Sequence, residues 1–261
     1  MAKIIAIANQ KGGVAKTTTT VNLGAALVER GRKVLLIDMD PQANCSTGLG
    51  IKTTKEDPGI HQVMLNPESG VNDAIYKTAI DGLSIVPSHI DLSAAEQELS
   101  SQVGAEWVLS IAIKDIIDNY DYIIIDTPPS LGLLSVNGLV AADSVIIPME
   151  AEIYSLEGTE ALQTLIERIR KRLRHPIEIL GVLITRYQGT TKIHSTVHEK
   201  LKSYWGDKIF KTVIRKNVDI GASALACTPV IAMAPKSSGA QDYIEFAKEV
   251  EDGPEKNDGT G

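Results

Sequence analysis

Residues 10–18 read Gln-Lys-Gly-Gly-Val-Ala-Lys-Thr-Thr, directly after a short apolar run and directly before an apolar-periodic segment. Glycines at 12 and 13 let the backbone curl until successive N–H groups face one point, and a helix starting just behind adds its positive end. Together they make a phosphate site. Lys16 is placed to reach the β- and γ-phosphates of a nucleotide, and the Thr17 hydroxyl to ligate Mg²⁺. Gly12, Gly13, Val14, Ala15, Lys16, Thr17 and Thr18 thus form the expected triphosphate cradle, and a further lysine, Lys11, opens it. Two segments carry carboxylates: Leu-Leu-Ile-Asp-Met-Asp-Pro-Gln at 35–42, with Asp38 and Asp40, and Ile-Ile-Ile-Asp-Thr-Pro-Pro at 123–129, with Asp126. Phosphoryl transfer is mostly positioning and charge neutralisation, so a metal, two lysines and one oriented water suffice. A lone Asp at a strand end could simply cap the next helix; three elements in this order argue for chemistry.

These residues need rigid elements at their backs. Apolar runs at 3–8, 33–38, 83–87, 122–126, 144–148, 177–185 and 209–214 are the expected strands. Several are continuous β-branched or Leu-rich runs, the pattern of strands covered on both faces. Helical periodicity is expected at 17–29, 107–119, 154–174, 191–205 and 240–250. Gly31 ends the first of these and Pro176 the third. Such alternation implies right-handed βαβ units and an α/β, doubly wound, mostly parallel sheet with helices on both faces. The expectation is one domain over 1–250 and a disordered acidic tail over 251–261, on composition.

The chain has 261 residues, 43% of them apolar, which suits a globular α/β protein. No apolar run reaches membrane-spanning length, and the N-terminal stretch reads as a strand rather than a signal peptide. Cys45 and Cys227 form no pair motif, which disfavours a disulfide framework and points to a reducing cytosol. The net charge of −7 is unevenly distributed. Residues 167–216 hold thirteen Lys or Arg against four Asp or Glu, a local +9 that leaves −16 on the remainder. Solvated helix faces account for single residues, whereas the whole window fits a polyanion partner.

With Lys11 included, the loop resembles the deviant Walker A pattern, Lys-Gly-Gly-x-x-Lys-Thr-Thr, of the ParA/MinD group of P-loop ATPases. The 35–42 segment resembles the ParA-type switch I, and 123–129 the Walker B strand and switch II. Residues 148–158 and 213–218 are similar to later segments of the same family, so the resemblance spans nearly the whole chain. It implies a P-loop NTPase fold and an ATPase using ATP and Mg²⁺, with Lys11 reaching the partner's nucleotide in a sandwich homodimer. It further implies Lys11, Lys16 and Asp40 as catalytic residues, Asp40 on the attacking water, Asp38 near the Mg²⁺ shell, and Asp126 holding the metal through water. Thr185, Ile214 and Arg215 would lie near the adenine. The ParA/Soj branch implies chromosome or plasmid partitioning, non-specific DNA binding by the ATP dimer, a ParB-like centromere-binding partner and a cytoplasmic, nucleoid-associated place.

The sequence also departs from the family. Ala15 stands where glycine is usual, and affects binding if the backbone there has positive φ. The family's DNA-associated arginines are absent near 190 and 219. Lys192, Lys200, Lys202, Lys211, Arg215 and Lys216 are the expected substitutes, since phosphate contacts need charge more than geometry. The run Arg168-Ile169-Arg170-Lys171-Arg172-Leu173-Arg174 is a weaker candidate for the same contacts and is expected rather to decorate a helix end. A chain beginning at its first strand is expected to lack an operator-reading extension. MinD-type membrane attachment is disfavoured by the acidic tail. Iron–sulfur reductases need cysteines nearer mid-chain, tyrosine autokinases a tyrosine cluster, and dethiobiotin-synthetase-like ligases would not need Lys11 and the Asp40-Pro41-Gln42 segment. A non-hydrolysing nucleotide switch, or a positioning switch for a protein cargo, is the remaining alternative.

Overall fold

The computed structural model describes residues 1–151, 157–188 and 192–253. Its centre is built from the runs richest in β-branched and leucine side chains. Val34–Asp38 (β2) and Tyr122–Asp126 (β5) are buried at every position, so both faces need cover. With Lys3–Ile7 (β1), Tyr76–Lys77 (β3), Leu83–Val86 (β4), Ser144–Glu150 (β6), Glu178–Tyr187 (β7) and Ile209–Arg215 (β8) they form one sheet, ordered β3-β4-β2-β5-β1-β6-β7-β8. Neighbours are parallel except β3, which runs antiparallel to β4 at the edge.

The helices are Lys16–Glu29 (α1), Asn44–Gly48 (α2), Ile60–Leu65 (α3), Leu92–Leu99 (α4), Val108–Ala112 (α5), Leu133–Ala141 (α6), Glu157–Arg168 (α7), Lys192–Trp205 (α8), Val218–Leu225 (α9), Val230–Met233 (α10) and Ser238–Asp252 (α11). From β1 the chain moves to β2 on one side, while β5, β6 and β7 lead on in the opposite direction. Right-handed crossovers then place α1 on one face and α6, α7 and α8 on the other. Alternate strand residues feed the two layers. Ile5, Ile7, Leu36 and Ile124 join Leu23, Leu27, Tyr243 and Phe246. Ile4, Ala6, Ile37 and Ile125 join Leu92, Leu134, Leu162 and Leu201.

The doubly wound architecture matches the sequence expectation, with local corrections. Residues 107–119 are not one helix: α5 is flanked by 3₁₀ turns at Ala105–Trp107 and Lys114–Asn119. Asn137 of α6 accepts from Leu109 N (3.0 Å) and donates to Ala105 O (2.7 Å), so a side chain from a neighbouring helix takes the backbone groups that a longer helix would pair. The helix expected at 154–174 is α-helical over α7 and closes as a π turn, Ile169–Leu173, on left-handed Arg174 (φ 54°). Its first residues lie outside the described ones. The last helix runs on to Asp252, because Arg30 and Arg32 of the α1 end bind the Glu251 carboxylate. Glu251 and Asp252 therefore belong to α11 and not to a tail; residues 254–261 lie outside the described part.

At Gly181 in β7 a Cβ would stand 2.6 Å from the Phe210 ring and 3.0 Å from Lys208 O, and the ring is itself locked edge-on against Phe246. Gly181→Ala is expected to destabilise the fold by about 1–3 kcal/mol through overpacking, read as a lower midpoint in urea unfolding. An unchanged midpoint would show that β7 and β8 yield at this contact.

Candidate functional site

The loop between β1 and α1 leaves the sheet where the chain direction reverses, with β5 and β6 on either side of β1, and a crevice opens at such a point. Asn9 anchors the loop by donating to Pro148 O (2.7 Å) and accepting from Lys11 N (3.0 Å). Gly13 has φ 79° and Ala15 φ 67°. Cβ atoms built at Gly12 and Gly13 meet nothing within 4 Å, so this backbone faces open space, as a phosphate cradle must. Buried Val14 fixes the loop from below, where its carbonyl accepts from Thr185 Oγ1 (3.2 Å). Lys16 is buried and donates from Nζ to Lys11 O (3.3 Å). Burial lowers its pKa, while the negative charges of Asp126 and Asp40 pull it back up. Lys11 is half-buried at the loop's opening.

Asp38 and Asp126 end β2 and β5 side by side as register partners, both fully buried. Desolvation pushes both pKa values up; the charges of Asp38 and Asp40 raise Asp126 further, and the charge of Asp40 raises Asp38. Asp126 accepts from Thr17 Oγ1 (2.7 Å) and Thr20 Oγ1 (3.1 Å), which places the α1 hydroxyls on the expected Walker B carboxylate. Asp38 is committed differently. Its Oδ1 accepts from Asp40 N (3.1 Å), and its Oδ2 from Ser46 N (2.9 Å) and Ser46 Oγ (2.7 Å). Ser46 Oγ in turn accepts from Ser88 N (3.0 Å). Asp38 thus fastens the segment that carries Asp40, and the contact with Thr17 belongs to Asp126. Asp40 accepts from Gln42 N (2.9 Å) at the turn after β2. Among the described residues no group of three or more His, Cys, Asp or Glu is arranged to hold a metal. A divalent cation beside Thr17 and Asp126 would draw its other ligands from phosphates and water, as Mg²⁺ commonly does.

Beyond the loop lies a cavity of about 620 Å³. Ala15, Thr18, Thr185, Ile214 and Arg215 line it, with Glu150, Arg186, Asn217, Ile220 and Tyr243. Ile214 and Ile220 give it apolar walls suited to a flat base. Arg186, in left-handed backbone (φ 50°), pairs with Glu150 at 2.9 Å. The sequence pointed to Thr185, Ile214 and Arg215 and missed Arg186, Ser46 and Asp242. Asp242 grips Arg215 from α11, at 2.6 and 3.0 Å, and carries no local signal because it is 27 residues away.

Arg215, expected among the DNA contacts, is paired here with Asp242. Lys200 and Lys202 are exposed on the second half of α8, while exposed Lys211 and Lys216 lie on and just after edge strand β8. The Lys192 side chain lies outside the described part.

A family model described as an AAA domain matches residues 2–179. The sporulation initiation inhibitor protein Soj of Bacillus subtilis is 44% identical over 96% of this chain and 98% of its own. The chromosome partitioning protein ParA of Caulobacter vibrioides is 42% identical over 95% and 93%. Among solved structures, cobyrinic acid a,c-diamide synthase of Mycobacterium smegmatis with bound ATP analog and magnesium superposes with a TM-score of 0.83 at 34% identity, covering 96% of this chain and 95% of that one. The cell division ATPase MinD of Pyrococcus furiosus does so with a TM-score of 0.78 at 29% identity, covering 97% and 99%.

Ala15 resolves a question the sequence left open, because its φ is positive. A β-carbon in that conformation costs about 1–2 kcal/mol relative to the usual helical backbone, and glycine adopts it freely. Ala15→Gly is expected to raise the stability of the nucleotide-free protein by about 1 kcal/mol, measured by chemical denaturation. A decrease would mean the loop does not hold this conformation.

Proposed function

The chain belongs to the ParA/MinD-type P-loop ATPases, and from that premise we propose that it is a partition ATPase whose ATP-bound form is a sandwich dimer that binds DNA without sequence preference. The observation that supports this reading most directly is the convergence of Lys16, Thr17, Asp40 and Asp126 around one open, glycine-turned loop that Lys11 begins. ATP would bind through the loop N–H groups and Lys16, and Thr17 and Asp126 would hold Mg²⁺, which would neutralise the phosphate charge. Lys11 extends to the nucleotide of the partner subunit, so the dimer forms only when both sites are filled. Asp40, held by the Asp38–Ser46–Ser88 chain, orients the attacking water. Hydrolysis separates the dimer, and a ParB-like centromere-binding protein accelerates that step. Paired binding by two subunits raises DNA affinity in the ATP state, which is how chromosome or plasmid DNA becomes the track of a cytoplasmic, nucleoid-associated protein.

A second reading is a positioning switch for a protein cargo with weak DNA binding; the neutralised Arg215 and the strained Ala15 favour it. Duplex DNA binding measured with no nucleotide, with ADP and with ATP–Mg²⁺, at two salt concentrations, separates the two. The partition reading expects a salt-sensitive gain with ATP, and the positioning reading expects ATP dimerisation with no such gain.

Three substitutions test the roles. Lys16→Ala is expected to abolish ATP binding and dimerisation. Lys11→Ala is expected to keep ATP binding but lose the dimer and, with it, turnover. Asp40→Ala is expected to dimerise with ATP and lower hydrolysis by about 10²-fold or more, on the scale typical of a lost general base. Light scattering with ATP and a phosphate-release assay read all three; a Lys11→Ala protein that still dimerises would sink the sandwich arrangement.

A further inference from the structure

Helices α7 and α8 lie side by side on one face of the sheet. Tyr204 Oη donates to Gln163 Oε1 (3.2 Å), and Leu162, Ile166, Ile169, Leu201 and Trp205 share one core. Each helix leads into the start of the next strand, so both end at the edge of the sheet opposite the nucleotide loop. There the end of α7, the π turn and its exit carry Arg168, Arg170, Lys171, Arg172 and Arg174, and the end of α8 with the turn after it brings Lys200, Lys202 and Lys208. Four carboxylates belong to the same stretch: Glu167, Glu178, Glu199 and Asp207. Arg170 and Lys171 pair with Glu167, at 2.8 and 3.6 Å, and Arg170 also donates to Ile177 O. Among the described residues no carboxylate pairs with Arg168, Arg172 or Arg174, and all three are exposed.

Capping of helix C-termini accounts for one or two cations per helix, not for this density on a chain of net charge −7. Arg174 adds a second observation. It stands in left-handed backbone, where glycine would be unstrained, so a charge occupies a position whose backbone favours none.

We propose that this far edge, built from the π turn after α7 and the end of α8, is a second polyanion-binding surface that takes the phosphate backbone of duplex DNA independently of nucleotide. A cluster of exposed cations suits phosphate contacts, which need charge more than precise geometry. A membrane surface fits less well: Ile169 is buried and Leu173 half-buried, which leaves Tyr204 as the large exposed apolar side chain of this region. The cations are exposed in the single chain, so binding here needs no dimer. This goes beyond the partition reading, which rests on a gain with ATP.

The test uses the full chain and a mixed-sequence duplex, by fluorescence anisotropy across a salt series without nucleotide. Wild type is expected to bind, and the Arg172→Ala/Arg174→Ala protein to bind about tenfold more weakly, with its log–log salt slope flatter by about 2. ATP hydrolysis is expected to stay unchanged, which reports an intact fold. Lys77→Ala, on edge strand β3 at the far side of the sheet from β8, is expected to match wild type. Wild type that does not bind, an unchanged slope in the double variant, or equal loss in Lys77→Ala would overturn the proposal. So would capture by anionic phosphatidylserine vesicles that depends on Arg172 and Arg174 when DNA binding does not. Absence of an ATP-dependent gain, with this basal binding intact, would remove the partition reading and leave the surface standing.

Discussion

Two carboxylates buried side by side, Asp38 and Asp126 at the ends of β2 and β5, are the constraint around which the rest is arranged. Like charges in a dry interior are tolerated only when hydrogen-bonded or faced by opposite charge. Asp126 takes two threonine hydroxyls from α1; Asp38 takes two backbone N–H groups and a serine hydroxyl. Lys16 lies in the field of Asp126. The loop, the first helix and the Asp40 turn are therefore all held by the need to solvate two acids without water. A divalent cation beside Asp126 would relieve the same tension and so couple metal binding to the stability of the centre.

The loop itself stores strain. Gly13 takes positive φ freely and Ala15 does not, so the conformation at Ala15 is imposed by its neighbours: the buried Val14 with its carbonyl on Thr185, and the start of α1. Strained backbone at a ligand site persists only where surroundings over-determine it. Arg186 is a second instance, at the end of β7, where Glu150 of the neighbouring strand holds its guanidinium over the adjoining cavity.

Charge is distributed by topology as well as by composition. The local +9 of residues 167–216 does not form one patch, because β7 and β8 carry the chain the full height of the sheet. Part of it reaches the nucleotide end, where Asp242 neutralises Arg215, and part collects at the opposite edge, where α7 and α8 finish.

Read alone, the chain determined the doubly wound sheet, the phosphate loop and the order Lys11, Lys16, Asp38, Asp40, Asp126. Each is carried by contiguous residues: a 4–8-residue apolar run buries both faces whatever its neighbours, and a glycine-turned loop before a helix makes its anion site locally. The short helices, the broken 107–119 segment, the extension of α11 to Asp252 and the partners of Asp38 and Arg215 were not legible. They depend on side chains far away in sequence: Asn137 on α5, Arg30 and Arg32 on Glu251, Ser88 on Ser46, Asp242 on Arg215. The sign of φ at Ala15 likewise could not be read from its identity, since alanine prefers the opposite sign. Only packing of the loop between β1, β7 and α1 settles it, because tertiary contacts can outweigh a local preference of about 1 kcal/mol.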